Sequence, residues 1–569
     1  MKKRINKFTA FTLCCLLAIS AGCSAGKTAP EASSPAVAEA TSPAVTETSA
    51  PAAPAEEQSS GAAADTSAPE WKADTSPITL TAYIDFPQDT YNGWGKDAVS
   101  AEITKRTGVT IDLRCATTDD SQELNMMMSS NDLPDFVIIN WQSPLRQILW
   151  KQEFVKPLNK LIDQYCPSMR DIIDPEYFKI YTEPDGNLYM LVDYYSDIKR
   201  IAGMKAVILT YDPFSINEKM YKELGSPDIS TLEQYHDVLL QAKEKFPDVQ
   251  FLVYDSTHDD PNHLRNMANI ISRLYGAENM KVPGADGSIH MGFRDEPYQK
   301  ALKYINSLYR DGLFNKENFT VTNEEQYKEL VLNQQIFTYW GQSFNIYRYD
   351  MSDTGAYIPF EVPKADNITP KFSNNNTAIG GWHGVHISAN TKNEERAIKY
   401  LQFMESDEGQ MLMNFGIEGT HYNMEENYPH RVPDIQAAAE ADWSNFTKTY
   451  GIYNYNIQWL ASAYTDSLEY YWASKTNKMY RLNMNSNKYA NNERIFDLTI
   501  AQPDSDEKVI ETKILDLWKV SLPKMYLAAS EDECMAAYNE FIKQAEDLGL
   551  ATLEAAYTKN YKEWKAKLG

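Results

Sequence analysis

From residue 78 the chain alternates, Ile78-Thr-Leu-Thr-Ala-Tyr-Ile84, with the period of two that marks a strand. A turn at Tyr91-Asn-Gly-Trp94 leads into a helix that runs to Arg106 and stops at Gly108. Residues 109–113 predict a second strand and residues 125–130 a second helix. The turn Asn131-Asp-Leu-Pro-Asp135 then opens a third strand at 136–139. Strand and helix in this alternation predict an α/β fold that begins as a parallel, doubly wound sheet. From about residue 230 helical patterns dominate. Ser230 and Glu233 read as a capping box ahead of Leu232, Tyr235, Leu239 and Ala242. Residues 296–310 put Tyr298, Leu302, Ile305 and Tyr309 on one face, with Gly312 as the stop. A short apolar strand is expected at 336–340, a helical pair at 394–404 and 407–415, and a mostly helical C-terminal part ending in 553–567.

The residues ahead of this pattern are of another kind. Positions 24–69 are rich in Ala, Ser, Thr, Pro and Glu, with no aromatic residue and no Leu, Ile or Met. Such a stretch buries too little apolar surface to offset the entropy of ordering, so residues 23–76 are expected to be a disordered tether, with folded structure from about Pro77. Before it, Lys2, Lys3, Arg4 and Lys7 precede an apolar run at 8–19 that is short for a membrane span. Ser20-Ala21-Gly22 are the small residues that a secretory peptidase needs. Cys23 directly after them resembles the bacterial lipoprotein signal, in which that cysteine carries the lipid, palmitate included, and becomes the mature N-terminus. The departure is Ser20, where that signal usually carries Leu. The expectation is a signal peptide at 1–22, lipidation at Cys23 and work on the outer side of a membrane.

The formal charge of −25 opposes binding to nucleic acid or to an anionic membrane surface, and the four bases of the leader only mask a more acidic mature chain. Of six cysteines, Cys14 and Cys15 lie in the leader; Cys115, Cys166 and Cys534 show no zinc-type spacing, and a bridge between Cys115 and Cys166 is left open. No GxSxG, HExxH, Walker A loop or GxGxxG occurs. His258, Asp259, Asp260 and His263 read as a polar loop, and Asp504-Ser-Asp506 lacks the glycine and the closing Glu of an EF-hand loop. No catalytic residue, metal site or cofactor is expected.

Several segments, in order, resemble the extracellular solute-binding proteins of ABC importers, in the large lipoprotein branch of Gram-positive bacteria that is assigned to sugar or oligosaccharide uptake. They are Glu102-Ile-Thr-Lys with Gly108-Val-Thr-Ile-Asp112, Ser130-Asn-Asp-Leu-Pro-Asp135, Asp185-Gly-Asn-Leu-Tyr189, and Tyr211-Asp212 with Leu224-Gly225 and Thr231-Leu-Glu233. The most telling are Ser388-Ala-Asn390, Glu395-Arg-Ala-Ile-Lys-Tyr-Leu-Gln-Phe403, Ser406-Asp-Glu-Gly-Gln410 and Phe415-Gly-Ile-Glu-Gly-Thr-His-Tyr422. The resemblance implies a two-lobed fold of the periplasmic-binding-protein type (type II), its discontinuous lobes joined by crossing strands and its C-terminal part helical. Lobe one is expected at 77–203 and 380–440, lobe two at 204–379 and 441–569. It also implies a monomer on the outer face of a Gram-positive cytoplasmic membrane, which closes on a carbohydrate and presents it to the permease subunits of an ABC importer.

A sugar offers hydroxyls to hydrogen-bond and flat C–H faces to stack on, so its site needs Trp or Tyr beside Asp, Glu, Asn or His, on loops after strand ends. Trp94, Asn140 and Trp141 follow predicted strands, Tyr339 and Trp340 end one, and Trp382 and His383 stand in Gly380-Gly381-Trp382-His383-Gly384 where the chain crosses back. Asp193 follows the strand at 188–192, and Glu418 and Tyr422 lie in the Gly-Ile-Glu-Gly segment. Each tryptophan has a plain alternative as core filler, and Glu418 as a turn anchor. Two other functions fit the same residues: the same scaffold binding another solute such as a peptide, or a surface glycoside hydrolase with paired carboxylates.

Overall fold

The alternating stretch that starts the pattern is a strand, and the other strands of two mixed sheets follow it in chain order. They are β1 (Ile78–Ile84), β2 (Val109–Cys115), β3 (Phe136–Asn140), β4 (Leu191–Val192), β5 (Phe214–Asn217), β6 (Gln250–Tyr254), β7 (Ile336–Trp340), β8 (Tyr357–Pro359) and β9 (His383–Ile387). The computed structural model describes residues 68–569 except 88–90, 119–120, 203, 205–213, 255–265, 320–323, 341–355, 366, 374–377, 477–488 and 503–504. The leader, Cys23, the tether up to residue 67, Tyr211-Asp212 and the loop 258–263 lie outside the described residues.

The first sheet has the order β2-β1-β3-β9-β4. β1 pairs in parallel with β2 and β3, as the strand–helix alternation predicts, and β9 enters from far along the chain, antiparallel to both β3 and β4. Leu80, Ala82 and Ile84 face a core shared with Val99, Ile103, Leu401 and Trp459, whereas Tyr83, Val137 and Ile139 meet Leu124, Met128 and Leu149 on the other side. The second sheet has the order β8-β5-β7-β6, with β7 parallel to β6 and antiparallel to β5. Its large core takes Tyr235 and Leu239 from the helix Leu232–Lys245 and Trp518, Phe541 and Tyr557 from the three helices that end the chain. Each sheet thus has its own core, and the molecule is two-lobed.

Three details depart from the sequence expectations. The N-cap of Leu232–Lys245 is Thr231, boxed with Gln234, one residue beyond the expected pair; Ser230 donates to the same Gln234 side chain. Folded structure begins before Pro77: Glu70–Lys72 form a 3-10 turn, Trp71 is buried edge-on against Phe403 at 4.8 Å, and its backbone N–H donates to Gln402 Oε1 at 3.0 Å. A lone tryptophan after an apolar-poor stretch is a docking residue, which the tether composition hides. Third, residues 441–461, expected with lobe two, send Phe446, Ile452, Ile457, Trp459 and Leu460 into the core of the first sheet. A coarse expectation of helix says nothing about which core a segment joins, and beyond the helix Trp443–Tyr450 this one is turn and loop. The helix Ala463–Thr476 stays on the same side, where Glu469 forms a fork with Arg431. Cys115, Cys166 and Cys534 are unpaired thiols, and burial pushes Cys115 up to about 11.

Candidate functional site

Strand register gathers one group of side chains at a single edge of the first sheet. His383 lies opposite Asn140, Gly384 opposite both Ile139 and Val192, and Ile84 opposite Ile138. The residues just past the carboxyl ends of β1, β3 and β4 therefore meet the start of antiparallel β9. This is the edge at which open α/β sheets hold ligands.

Trp382 stands at the centre. Its side is 40% exposed, the most open of the tryptophans singled out for the site, and its ring stacks on Phe86 at 5.1 Å and 13°. Tyr455 meets it edge-on at 5.6 Å, and the His383 ring lies parallel to it at 5.8 Å. Asp193, fully buried, holds this group from below. Its Oδ1 accepts the backbone N–H of Trp382 at 2.6 Å and of His383 at 2.9 Å, and its Oδ2 pairs with His383 Nδ1 at 3.0 Å. Trp141 braces the other flank: its backbone N–H donates to Trp382 O at 3.0 Å and its indole N–H to Gly381 O at 3.1 Å. Gly381 is required by this closeness, because a Cβ there would lie 2.5 Å from the Tyr194 ring. Tyr194 itself sits in the left-handed region at φ 51°, as does Tyr453 at φ 58°, and their hydroxyls meet at 3.2 Å. Two tyrosines held in a backbone region that costs on the order of 1 kcal/mol each are a feature found at binding sites more than in plain cores.

Of the expected residues, Asn140, Trp141, Asp193, Trp382 and His383 come together here. Their roles divide: Trp382 offers an open face, Asn140 is exposed at the rim, and Asp193, His383 and Trp141 support. Trp94 does not join them; it packs on its own lobe core and its indole N–H donates to Thr104 Oγ1 at 2.8 Å. Tyr339 and Trp340 are a correction. Both are fully buried, Trp340 between Phe214 and Tyr235 and Tyr339 against Tyr327, because β7 lies between β5 and β6 with cores on both faces. A strand-end tryptophan reads alike in sequence whether its strand is central or not.

Glu418 and Tyr422 lie elsewhere, in an open pocket of about 310 Å³ between the helix Asp407–Phe415, the hairpin at 422–431 and the helix Ala463–Thr476. Glu418 is exposed; Tyr422 is buried against Phe415, and burial pushes its hydroxyl up to about 12. Phe86 and Tyr455 were missed. Phe86 follows β1 by two residues and could have been found by the rule that selected Trp94, whereas Tyr455 belongs to a segment without any motif.

No family model matches the chain. Its sequence is similar to the fructooligosaccharide ABC transporter substrate-binding protein FusA of Streptococcus pneumoniae, 26% identical over 226 residues. That match spans 38% of this chain and 41% of FusA, less than half of the relative's length. In structure the chain is similar to S. pneumoniae FusA in complex with kestose, with a TM-score of 0.64 and 20% identity over 86% of this chain and 100% of that one. It is also similar to the alginate-binding protein AlgQ2 without calcium, TM-score 0.61 and 19% identity over 86% and 98% of the two chains. A solute-binding protein described as HMO-binding, from Bifidobacterium longum infantis, gives 0.61 and 16% over 86% and 99%. The chain has the two-lobed α/β fold of the substrate-binding proteins of ABC transporters.

Proposed function

We propose that this protein is an extracellular solute-binding protein that captures a sugar or oligosaccharide between its lobes and delivers it, chemically unchanged, to the permease of an ABC importer. The observation that carries this reading is the Trp382–Phe86–Tyr455 group at the ligand edge of the first sheet, an exposed aromatic face backed by carboxylate and amide groups. A pyranose or furanose ring would stack on Trp382 while rim groups such as Asn140 take its hydroxyls. FusA, which shares part of the sequence and the whole fold, is a fructooligosaccharide-binding protein, and this supports a carbohydrate over a peptide. Lobe one would comprise about 69–192 and 383–476, and lobe two about 214–372 and 489–569, with the protein working as a monomer.

Replacing Trp382 with Ala should weaken binding of the preferred oligosaccharide at least about tenfold, the scale of one stacking contact, and leave the urea unfolding midpoint in place. Calorimetry with kestose and a set of other neutral oligosaccharides checks it; unchanged affinity would remove Trp382 from the site. The leader supports a lipid anchor at Cys23 on the outer face of a Gram-positive membrane. Cys23→Ala should therefore shift the protein from the membrane fraction to the medium or leave an uncleaved precursor, and abolish palmitate incorporation; labelled cells followed by fractionation give the answer.

A further inference from the structure

Two neighbouring residues, Glu493 and Arg494, reach in opposite directions. Glu493 accepts a two-pronged ion pair from Arg273, at 2.6 and 3.2 Å, with both side chains more than nine-tenths buried in the second lobe. Arg273 continues to Lys371 O at 2.9 Å, just ahead of the point where residues 372–373 pair with 490–491 as parallel strands. Arg494 turns the other way. Its Nη1 lies 2.7 Å from Glu176 Oε1, on the helix Pro175–Tyr181 of the first lobe. Its Nη2 donates to Ser196 O at 2.5 Å and, more weakly, to Ala378 O at 3.4 Å, and the guanidinium covers the Tyr195 ring at 4.9 Å.

Those two carbonyls are not ordinary acceptors. Ser196 stands on the chain as it leaves the first sheet after β4, and Ala378 on the chain as it returns to β9; the Ser196 N–H itself donates to Ala378 O at 3.0 Å. Arg494 therefore ties together the outgoing connection, the returning connection and the segment that carries it. A buried charge needs its partner strongly, since loss of one member leaves the other uncompensated. Leu498, four residues on, packs in the core of the first sheet, while Ile495 and Phe496 pack against that of the second.

We propose that Glu493-Arg494 is the pivot of the interlobe hinge: one ion pair clamps the segment to lobe two, the next clamps it to lobe one, and together they fix the point about which the lobes turn. Side chains that hold three connections at one point allow rotation about that point and resist sliding, which is hinge motion as opposed to shear. The proposal rests on the two-lobed fold and not on the identity of the ligand, so its test uses ligand-free protein.

Spin labels at Ser129→Cys and Glu244→Cys, exposed sites on the two lobes, in a Cys115→Ser background, report the distribution of interlobe distances. Arg494→Met should broaden that distribution at least about twofold, and Glu176→Gln should broaden it in the same sense. The double variant should be no broader than Arg494→Met alone, because that change already releases the contact that Glu176→Gln removes. Arg170→Met, which removes an exposed pair with Asp163, should leave the distribution as it was. If Arg494→Met does not fold, Glu176→Gln decides alone, since the replaced side chain is one-third exposed and the new amide oxygen can still accept from the Arg494 guanidinium while the ion pair is lost. A distribution unchanged in the folded variants, or broadened equally by Arg170→Met, overturns the pivot while leaving sugar binding, measured separately by calorimetry, untouched.

Discussion

Replacing Trp340 with Ala should lower the stability of the protein by about 3–5 kcal/mol, the cost of emptying a large buried site that its neighbours refill only in part. The indole is fully buried, edge-on to Phe214 at 5.4 Å and nearly parallel to Tyr235 at 5.7 Å. It belongs to the largest of the cores, so its loss is felt by β5, β7 and the helix Leu232–Lys245 together. Urea unfolding followed by circular dichroism measures this. A midpoint that stays in place, with reduced sugar affinity, would mean that Trp340 is a ligand platform after all. Trp340 and Trp382 thus form a matched pair, one acting on stability and the other on affinity.

The second large effect is expected at Asp193. Its carboxylate accepts two backbone N–H groups, and its pair with His383 Nδ1 orients the ring that lies parallel to Trp382. Asp193→Ala leaves these donors buried without an acceptor, at about 1–3 kcal/mol for each such group. The chain at 381–383 would move to find water, and Trp382 with it. Oligosaccharide affinity should fall on the order of a hundredfold, more than for loss of the Trp382 ring alone. Asp193→Asn keeps one oxygen for the backbone donors and should fall between wild type and Ala. Calorimetric titration of the three proteins tests the order; equal affinities would show that the Trp382 loop stands without this support.

Local pattern carried a good part of the fold. The strand read at 78–84 is Ile78–Ile84, the helix at 296–310 is Glu296–Arg310, and the strand at 336–340 is Ile336–Trp340. These are places where periodicity, capping and turn residues agree. What the sequence does not carry is contact between distant stretches. Phe86 and Trp382 stack although almost three hundred residues separate them, and Tyr455 reaches the same place from a segment with no motif. The rule that aromatic residues after strands line ligand edges picks out Trp141 and Trp382, which sit at the edge of the first sheet where binding is proposed. It failed for Trp340, where a central strand buries its last residue, and for Trp94, which folds back onto its own helix. The same limit applies to 441–461, expected to be helical and to join lobe two: only Trp443–Tyr450 is helix, and the whole segment packs on the first core.

The central claim is capture of a carbohydrate without chemistry, and calorimetric titration of the tether-free chain, residues 68–569, with a panel of neutral oligosaccharides tests it most directly. Saturable one-to-one binding of at least one member, with the sugar recovered at its original mass, is the predicted result. Heat only from peptides, or sugar recovered in fragments, would contradict it.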